Sequence, residues 1–231
     1  MIKQKTVSAI IVAAGNGQRF GQDKLLLKIG QHTVLEKSVR AFNLSLIDEI
    51  IVVCNQDKIN TYEQLIKQQL PKLNKIKFIL GGRERWESSY LGVKAAKGEY
   101  VAIHDAARPL ITTDLITQSL EAAFKYEAAL VAAPATDSIK LVDEEHNNYD
   151  SLNRQTIWLA QTPQVFAKDL ILKAYKLAFI SKYQNMTDES ELITKFLKLS
   201  VKIVPSTNRN LKITFPLDWE IAKLLASKNN S

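Results

Sequence analysis

Arg19 and Lys24 follow a short apolar run, residues 9–14, with Gly15 and Gly17 before them and only Asp23 as a nearby carboxylate. The glycines let the backbone turn tightly and come close to a ligand, which a Cβ would obstruct. A buried strand, a glycine turn and then cations is an arrangement suited to holding phosphates. A tight turn with solvated charges fits the same stretch. Two known phosphate motifs do not fit: Phe20 stands where a dinucleotide fingerprint needs its third glycine, and Gly21 is followed by Gln22 where a P-loop needs lysine.

Two further clusters carry groups of the same kind. Gly81-Gly82-Arg83-Glu84-Arg85-Trp86-Glu87-Ser88-Ser89 is a glycine turn leading into a helix, whose free N–H groups and Ser88 hydroxyl can read a base edge or a ribose. A plain cap with solvated arginines is the other reading. His104-Asp105-Ala106-Ala107-Arg108-Pro109 places an acid and a base three apart after an apolar strand. Asp105 there suits Mg²⁺, which takes one or two carboxylates plus substrate phosphate oxygens. A simple Asp105–Arg108 ion pair is the alternative, and His104 reads as structural.

The elements that must position these groups alternate. Strands are expected over 9–14, 49–54, 77–80, 99–104 and 129–133, and helices from Thr33, over 60–70, over 86–97 with Gly98 as the stop, and over 112–126. Thr33-Val34-Leu35-Glu36 has the form of a capping box. Alternation of this kind predicts an α/β fold: a Rossmann-like, mainly parallel sheet with helices on both faces and ligands beyond the strands' carboxyl ends. After Pro134 the rhythm breaks. Residues 138–142 and 152–160 read as a protruding β-hairpin arm around the polar tip 143–148, and such an arm needs something to pack on. Helices over 168–181 and from Asp188, a strand over 201–204 and a helix over 217–225 close the chain.

The 231 residues are 46% hydrophobic and 24% charged, which predicts a single domain (1–231) with an ample core and a dimerisation arm at about 136–160. One cysteine, Cys54, excludes an internal disulfide, and three histidines argue against a zinc cluster. The N-terminal apolar run is too short for a signal peptide or membrane span, so a cytoplasmic protein without membrane partners is expected. A net charge of +7 fits nucleic acid or small anions. Lys67, Lys72, Lys75, Lys125 and Lys176 are scattered along helices, which favours small anions over a nucleic-acid stripe.

Taken together, AAGNGQRFGQDK, GGRERWESS, HDAARP, ATDSIK, LAQTPQVF, TDESELI and NLKITFPLDWEIA, in that order, resemble the 2-C-methyl-D-erythritol 4-phosphate cytidylyltransferases of non-mevalonate isoprenoid synthesis, nearly end to end. The resemblance implies that methylerythritol phosphate attacks the α-phosphorus of CTP and expels pyrophosphate. It implies that Arg19, Lys24 and Lys212 act on the phosphates, and that Ala13, Ala14, Gly15, Gly82, Ser88 and Ala106 hold the nucleotide. Asp105 would hold Mg²⁺ and, with Arg108 and Thr162, line the substrate side. Thr136, Ser138 and Arg154, supplied by the arm of a neighbouring subunit in a homodimer, would bind the sugar phosphate.

Three positions depart from the family pattern. Arg209 and Asn153 stand where an acid is common, and Asp23-Lys24-Leu25 replaces Pro-Lys-Gln. A ribitol 5-phosphate cytidylyltransferase is the nearest rival; His-Asp-Ala-Ala-Arg-Pro and Thr-Asp-Glu-Ser lean toward methylerythritol phosphate. A basic nucleic-acid-binding module is the rival from another class, supported by charge alone.

Overall fold

The computed structural model describes residues 5–15, 20–183 and 186–228. In chain order come β1 (Val7–Val12), β2 (Lys28–Ile29), β3 (His32–Thr33), α1 (Val34–Ala41), β4 (Glu49–Cys54), α2 (Ile59–Gln69), β5 (Ile76–Leu80), α3 (Arg85–Ala95), β6 (Tyr100–Asp105), α4 (Thr113–Tyr126) and β7 (Ala128–Pro134). Then follow β8 (Ile139–Val142), β9 (Asn148–Leu152), β10 (Trp158–Ala167), α5 (Lys168–Ile180), α6 (Glu189–Leu197), β11 (Lys202–Pro205) and α7 (Pro216–Ser227).

Among the described residues the main sheet has seven strands in the order β11-β7-β10-β6-β1-β4-β5. β1 lies parallel to β4 and β6, and β10 runs antiparallel between β6 and β7. The apolar runs do not alternate because both faces of the sheet are covered. Val7, Ala9 and Ile11 join Ile50 and Val52 in one core with α1, α2 and α4; Ile10, Ile51 and Val53 enter a second with α3, α5 and α6. Each of the fully buried valines and isoleucines among them contributes roughly 1.5–3 kcal/mol. The chain winds outward from β1 through β4 to β5 and then returns to β6 on the other side. That reversal opens a crevice at the carboxyl ends of β1 and β6, where ligands bind in open α/β sheets.

Three expectations need correction. The arm is smaller than predicted: β8 pairs with β9, while residues 158–167 form β10 in the core sheet. Pro163 and the glutamines beside it interrupt the apolar pattern, and the β10–β7 register shifts between Ala160 and Gln164. The third helix ends at Ala95, so Gly98 is no helix stop; a Cβ there would lie 2.6 Å from the Ser8 backbone nitrogen. Only half of the Thr33 capping box forms: the Thr33 hydroxyl accepts the Glu36 N–H at 3.1 Å, but the Glu36 carboxylate pairs with Arg40.

Candidate active site

A cavity of about 1020 Å³ opens at the crevice, lined by Ala13, Ala14 and Gly15 after β1, Lys24, Asn55 after β4, Arg83 and Arg85, Asp105, Ala107 and Lys212. The wall forms because the strand ends are tied together. Ala13 N–H donates to Val53 at 2.8 Å, Gly81 N–H to Cys54 at 2.8 Å and Ala106 N–H to Val12 at 3.0 Å. Gly81 must be glycine: a Cβ would lie 2.8 Å from the Ala14 Cβ and 2.6 Å from the Ser88 hydroxyl.

Asp105 is the last residue of β6, and its side chain is nearly buried. Arg85 Nε meets its Oδ1 at 2.9 Å and Lys212 Nζ its Oδ2 at 2.6 Å. Burial alone would push the carboxyl pKa up, but these two cations more than reverse that and hold it well below the ordinary carboxylate range. The Asp105–Arg108 ion pair, the alternative reading of this loop, does not form. Arg108 Nη1 instead donates to the Asn210 carbonyl at 2.7 Å, and Ile213 N–H donates to Ala107 at 2.8 Å. The 210–213 segment is thereby docked on the loop after β6, and Lys212 is brought to Asp105. Lys24 Nζ donates to the Ile213 carbonyl at 2.6 Å. Asp23 caps the short turn at Lys24–Leu26 and accepts the buried Tyr62 hydroxyl at 2.9 Å, which anchors Lys24 at the cavity edge.

Behind Asp105 runs a hydrogen-bond relay. Asp105 N–H donates to Thr162 Oγ1 at 3.1 Å, Thr162 O–H donates to His104 Nδ1 at 3.0 Å, and His104 Nε2–H donates to the Arg108 carbonyl at 3.1 Å. A carbonyl can only accept, so the neutral ring carries its proton on Nε2. Burial depresses the His104 pKa to about 4, against the upward pull of Asp105. The unfolded chain, with histidine near 6.5, then binds the extra proton first as pH falls. This contribution to stability is complete above about pH 6.5 and is lost on descent toward the folded value. Between pH 7 and pH 5 the loss should be about 2 kcal/mol, read from urea unfolding. By NMR the His104 imidazole should stay neutral down to pH 5; a His104 that titrates near 6.5 would contradict the relay.

Of the site residues expected from sequence, Ala13, Ala14, Gly15, Lys24, Asp105 and Lys212 line the cavity. Arg19 lies outside the described residues. Ala106 does not line the cavity: its N–H goes to Val12, its carbonyl accepts Ser38, and Ala107 lines the cavity instead. Free N–H groups are expected where the glycine turn enters the helix, but those of residues 82–84 are used locally. Gly82 N–H donates to Ser88 Oγ at 3.1 Å, and those of Arg83 and Glu84 donate to the Glu87 carboxylate. Ser88, fully buried, therefore shapes the turn. Thr162 and Arg108 are buried behind the wall. Thr136, Ser138 and Arg154 sit together at the arm, exposed, with Arg154 donating to the Thr136 carbonyl at 2.9 Å. Arg209 is exposed in the turn before Asn210 and does not line the cavity.

Sequence reading missed Arg85 and its partner Glu189, which Arg85 Nη1 contacts at 2.9 and 3.0 Å. One signal was available: Arg85 is the first residue of α3, where a cation opposes the helix dipole unless a carboxylate meets it. Glu189 could not be singled out among Asp188, Glu189 and Glu191, which all read as a helix cap.

The crevice gathers guanidinium and ammonium groups around a strand-end carboxylate and walls them with close backbone. Histidine is locked away from it, so the chemistry on offer is charge neutralisation at phosphate, on a fold built to hold a nucleotide. The chain is a nucleotidyltransferase of the α/β class. It belongs to the 2-C-methyl-D-erythritol 4-phosphate cytidylyltransferase family, whose sequence profile matches residues 7–228. It is 38% identical to the enzyme of that name from Caldanaerobacter subterraneus subsp. tengcongensis, over 96% of this chain and 99% of the relative. It is 36% identical to the one from Syntrophus aciditrophicus, over 98% of each. Its fold is similar to the 4-diphosphocytidyl-2C-methyl-D-erythritol synthase of Anaerococcus prevotii, with a TM-score of 0.85 at 32% identity and 98% coverage of both chains. The 2-C-methyl-D-erythritol 4-phosphate cytidylyltransferase of Thermus thermophilus superposes at 0.79 and 29% identity, covering 96% of this chain and 99% of the other. Among the described residues no helix is long and apolar enough to cross a membrane.

Proposed function

We propose that this chain transfers CMP from CTP to 2-C-methyl-D-erythritol 4-phosphate and releases pyrophosphate, as a cytoplasmic homodimer. The observation that carries this reading is Asp105 at the switch-point crevice, with Lys212 and Arg85 on its two oxygens and Lys24 at the same cavity. A phosphate monoester has its second pKa near 6, so the attacking oxygen is already anionic at pH 7 and no side chain need remove a proton. The new bond forms between that oxygen and the α-phosphorus, and the bond from the α-phosphorus to the bridging oxygen breaks. The barrier is the approach of anion to anion. Lys24 and Lys212, with Arg19 by resemblance, neutralise the developing charge. Ala13–Gly15 line the space for cytidine, backed by Gly81, which packs against Ala14.

Asp105 fits a divalent cation of the Mg²⁺ type. It is one hard carboxylate at a cavity wall, and among the described residues no group of three or more metal-ligating side chains gathers there, so phosphates and water would complete the shell. When bound, such an ion withdraws charge from the phosphate oxygens. The arm supports the dimer. Val142, Tyr149 and Leu152 on the arm, and Trp158 and Leu159 at the start of β10, expose apolar surface, and Thr136, Ser138 and Arg154 would reach the sugar phosphate in a neighbouring subunit.

The test is pyrophosphate release. It should appear with CTP, methylerythritol phosphate and Mg²⁺ together, and collapse when UTP or ATP replaces CTP or when chelator removes the metal. Faster turnover with ribitol 5-phosphate would reassign the acceptor, and silence with both acceptors would overturn the reading.

A further inference from the structure

The two oxygens of Asp105 are held in different ways. Oδ1 meets Arg85, and Arg85 is itself clamped by Glu189, almost wholly buried, which also accepts the Tyr175 hydroxyl at 3.4 Å. The start of α6 is fixed in turn, because Ser190 N–H donates to the Gln164 side chain at 2.8 Å. Arg85 is therefore a permanent partner. Oδ2 meets Lys212, a single ammonium on a flexible four-carbon stem, a third exposed, whose backbone is docked but whose head can swing. Among the described residues Asp105 is the one carboxylate within 4 Å of Lys212 Nζ.

The charges of Asp105, Glu189, Arg85 and Lys212 cancel as the set stands. A divalent ion placed on Asp105 alone would face an ammonium already 2.6 Å from the same oxygen. Unit charges at about 4 Å repel strongly even when partly screened. A nucleotide arriving with its phosphates offers that ammonium several anionic oxygens and relieves the conflict.

We propose that Lys212 is the resident counter-ion of Asp105 Oδ2, standing where a divalent cation would otherwise bind, and that it leaves only when a polyphosphate arrives with the metal. Glu189 acts through Arg85 as a positioning residue: it keeps Oδ1 engaged, so that the exchange takes place at Oδ2. This rests on the metal-assisted transfer proposed above. It makes Lys212 a metal substitute in the empty site and a phosphate ligand in the filled one.

The probe is Mn²⁺ alone, followed by the electron-paramagnetic signal of the free ion as it is titrated into ligand-free enzyme. The native chain should bind weakly, Lys212→Met on the order of tenfold tighter or more, and Lys212→Arg as weakly as native. Asp105→Asn added to Lys212→Met should abolish the gain. In the native chain CTP should tighten Mn²⁺ binding far more than it does in Lys212→Met. Equal Mn²⁺ affinity in native and Lys212→Met enzyme overturns the proposal, as does native binding that is equally tight with and without CTP. Pyrophosphate release by the native enzyme is measured in parallel. Its absence removes the proposed reaction, whereas unchanged Mn²⁺ affinity with transfer intact removes only the exchange.

Discussion

Asp105→Asn is expected to lower kcat by about 10³ or more, with a smaller change in KM for CTP. The substitution keeps the shape of the side chain and the backbone N–H bond to Thr162, but it removes the anion between Arg85 and Lys212. Those cations then face each other across a neutral amide, and no carboxylate remains to share a divalent ion with the phosphates. Because the loss falls on charge that develops during transfer, it belongs in kcat. Steady-state kinetics over a CTP and Mg²⁺ matrix make the measurement, with circular dichroism to show that the fold persists. A rise in KM with kcat intact would mean that Asp105 only tethers substrate.

Lys24→Ala and Arg154→Ala should each be nearly inactive alone, yet restore activity to one another. Lys24 lines the cavity of its own chain, whereas Arg154 lies exposed at the arm with Thr136. If the arm completes a neighbouring site across a two-fold axis, a mixed dimer holds one site with both defects and one with neither. Random mixing makes half the dimers mixed, so about a quarter of all sites should regain native turnover. The two proteins are unfolded, refolded together and assayed for pyrophosphate release. A mixture as inactive as its parents, with subunit exchange demonstrated, would show that each site is built within one chain.

The alternation of strands and helices through β7 was legible in the sequence because a strand covered on both faces must be apolar throughout, as in Ile50 to Val53. Asp105 and the Gly81-Gly82 turn were legible too, since each is a local signature at a strand end, and Lys24 because it follows the glycine-containing stretch after β1. The hairpin was read too long because its return and β10 are adjacent in sequence, and the polar residues around Pro163 conceal a strand buried at the centre of the sheet. The family motifs already pointed to a phosphate site. Only the tertiary structure decided what surrounds its carboxylate. Glu189 reaches Arg85 across 104 residues and Asn210 reaches Arg108 across 102, because the sheet order returns distant segments to one crevice. Burial and turning are properties of neighbouring residues, so the sequence carries them; an ion pair depends on which strand ends the fold brings together, and no local pattern records that.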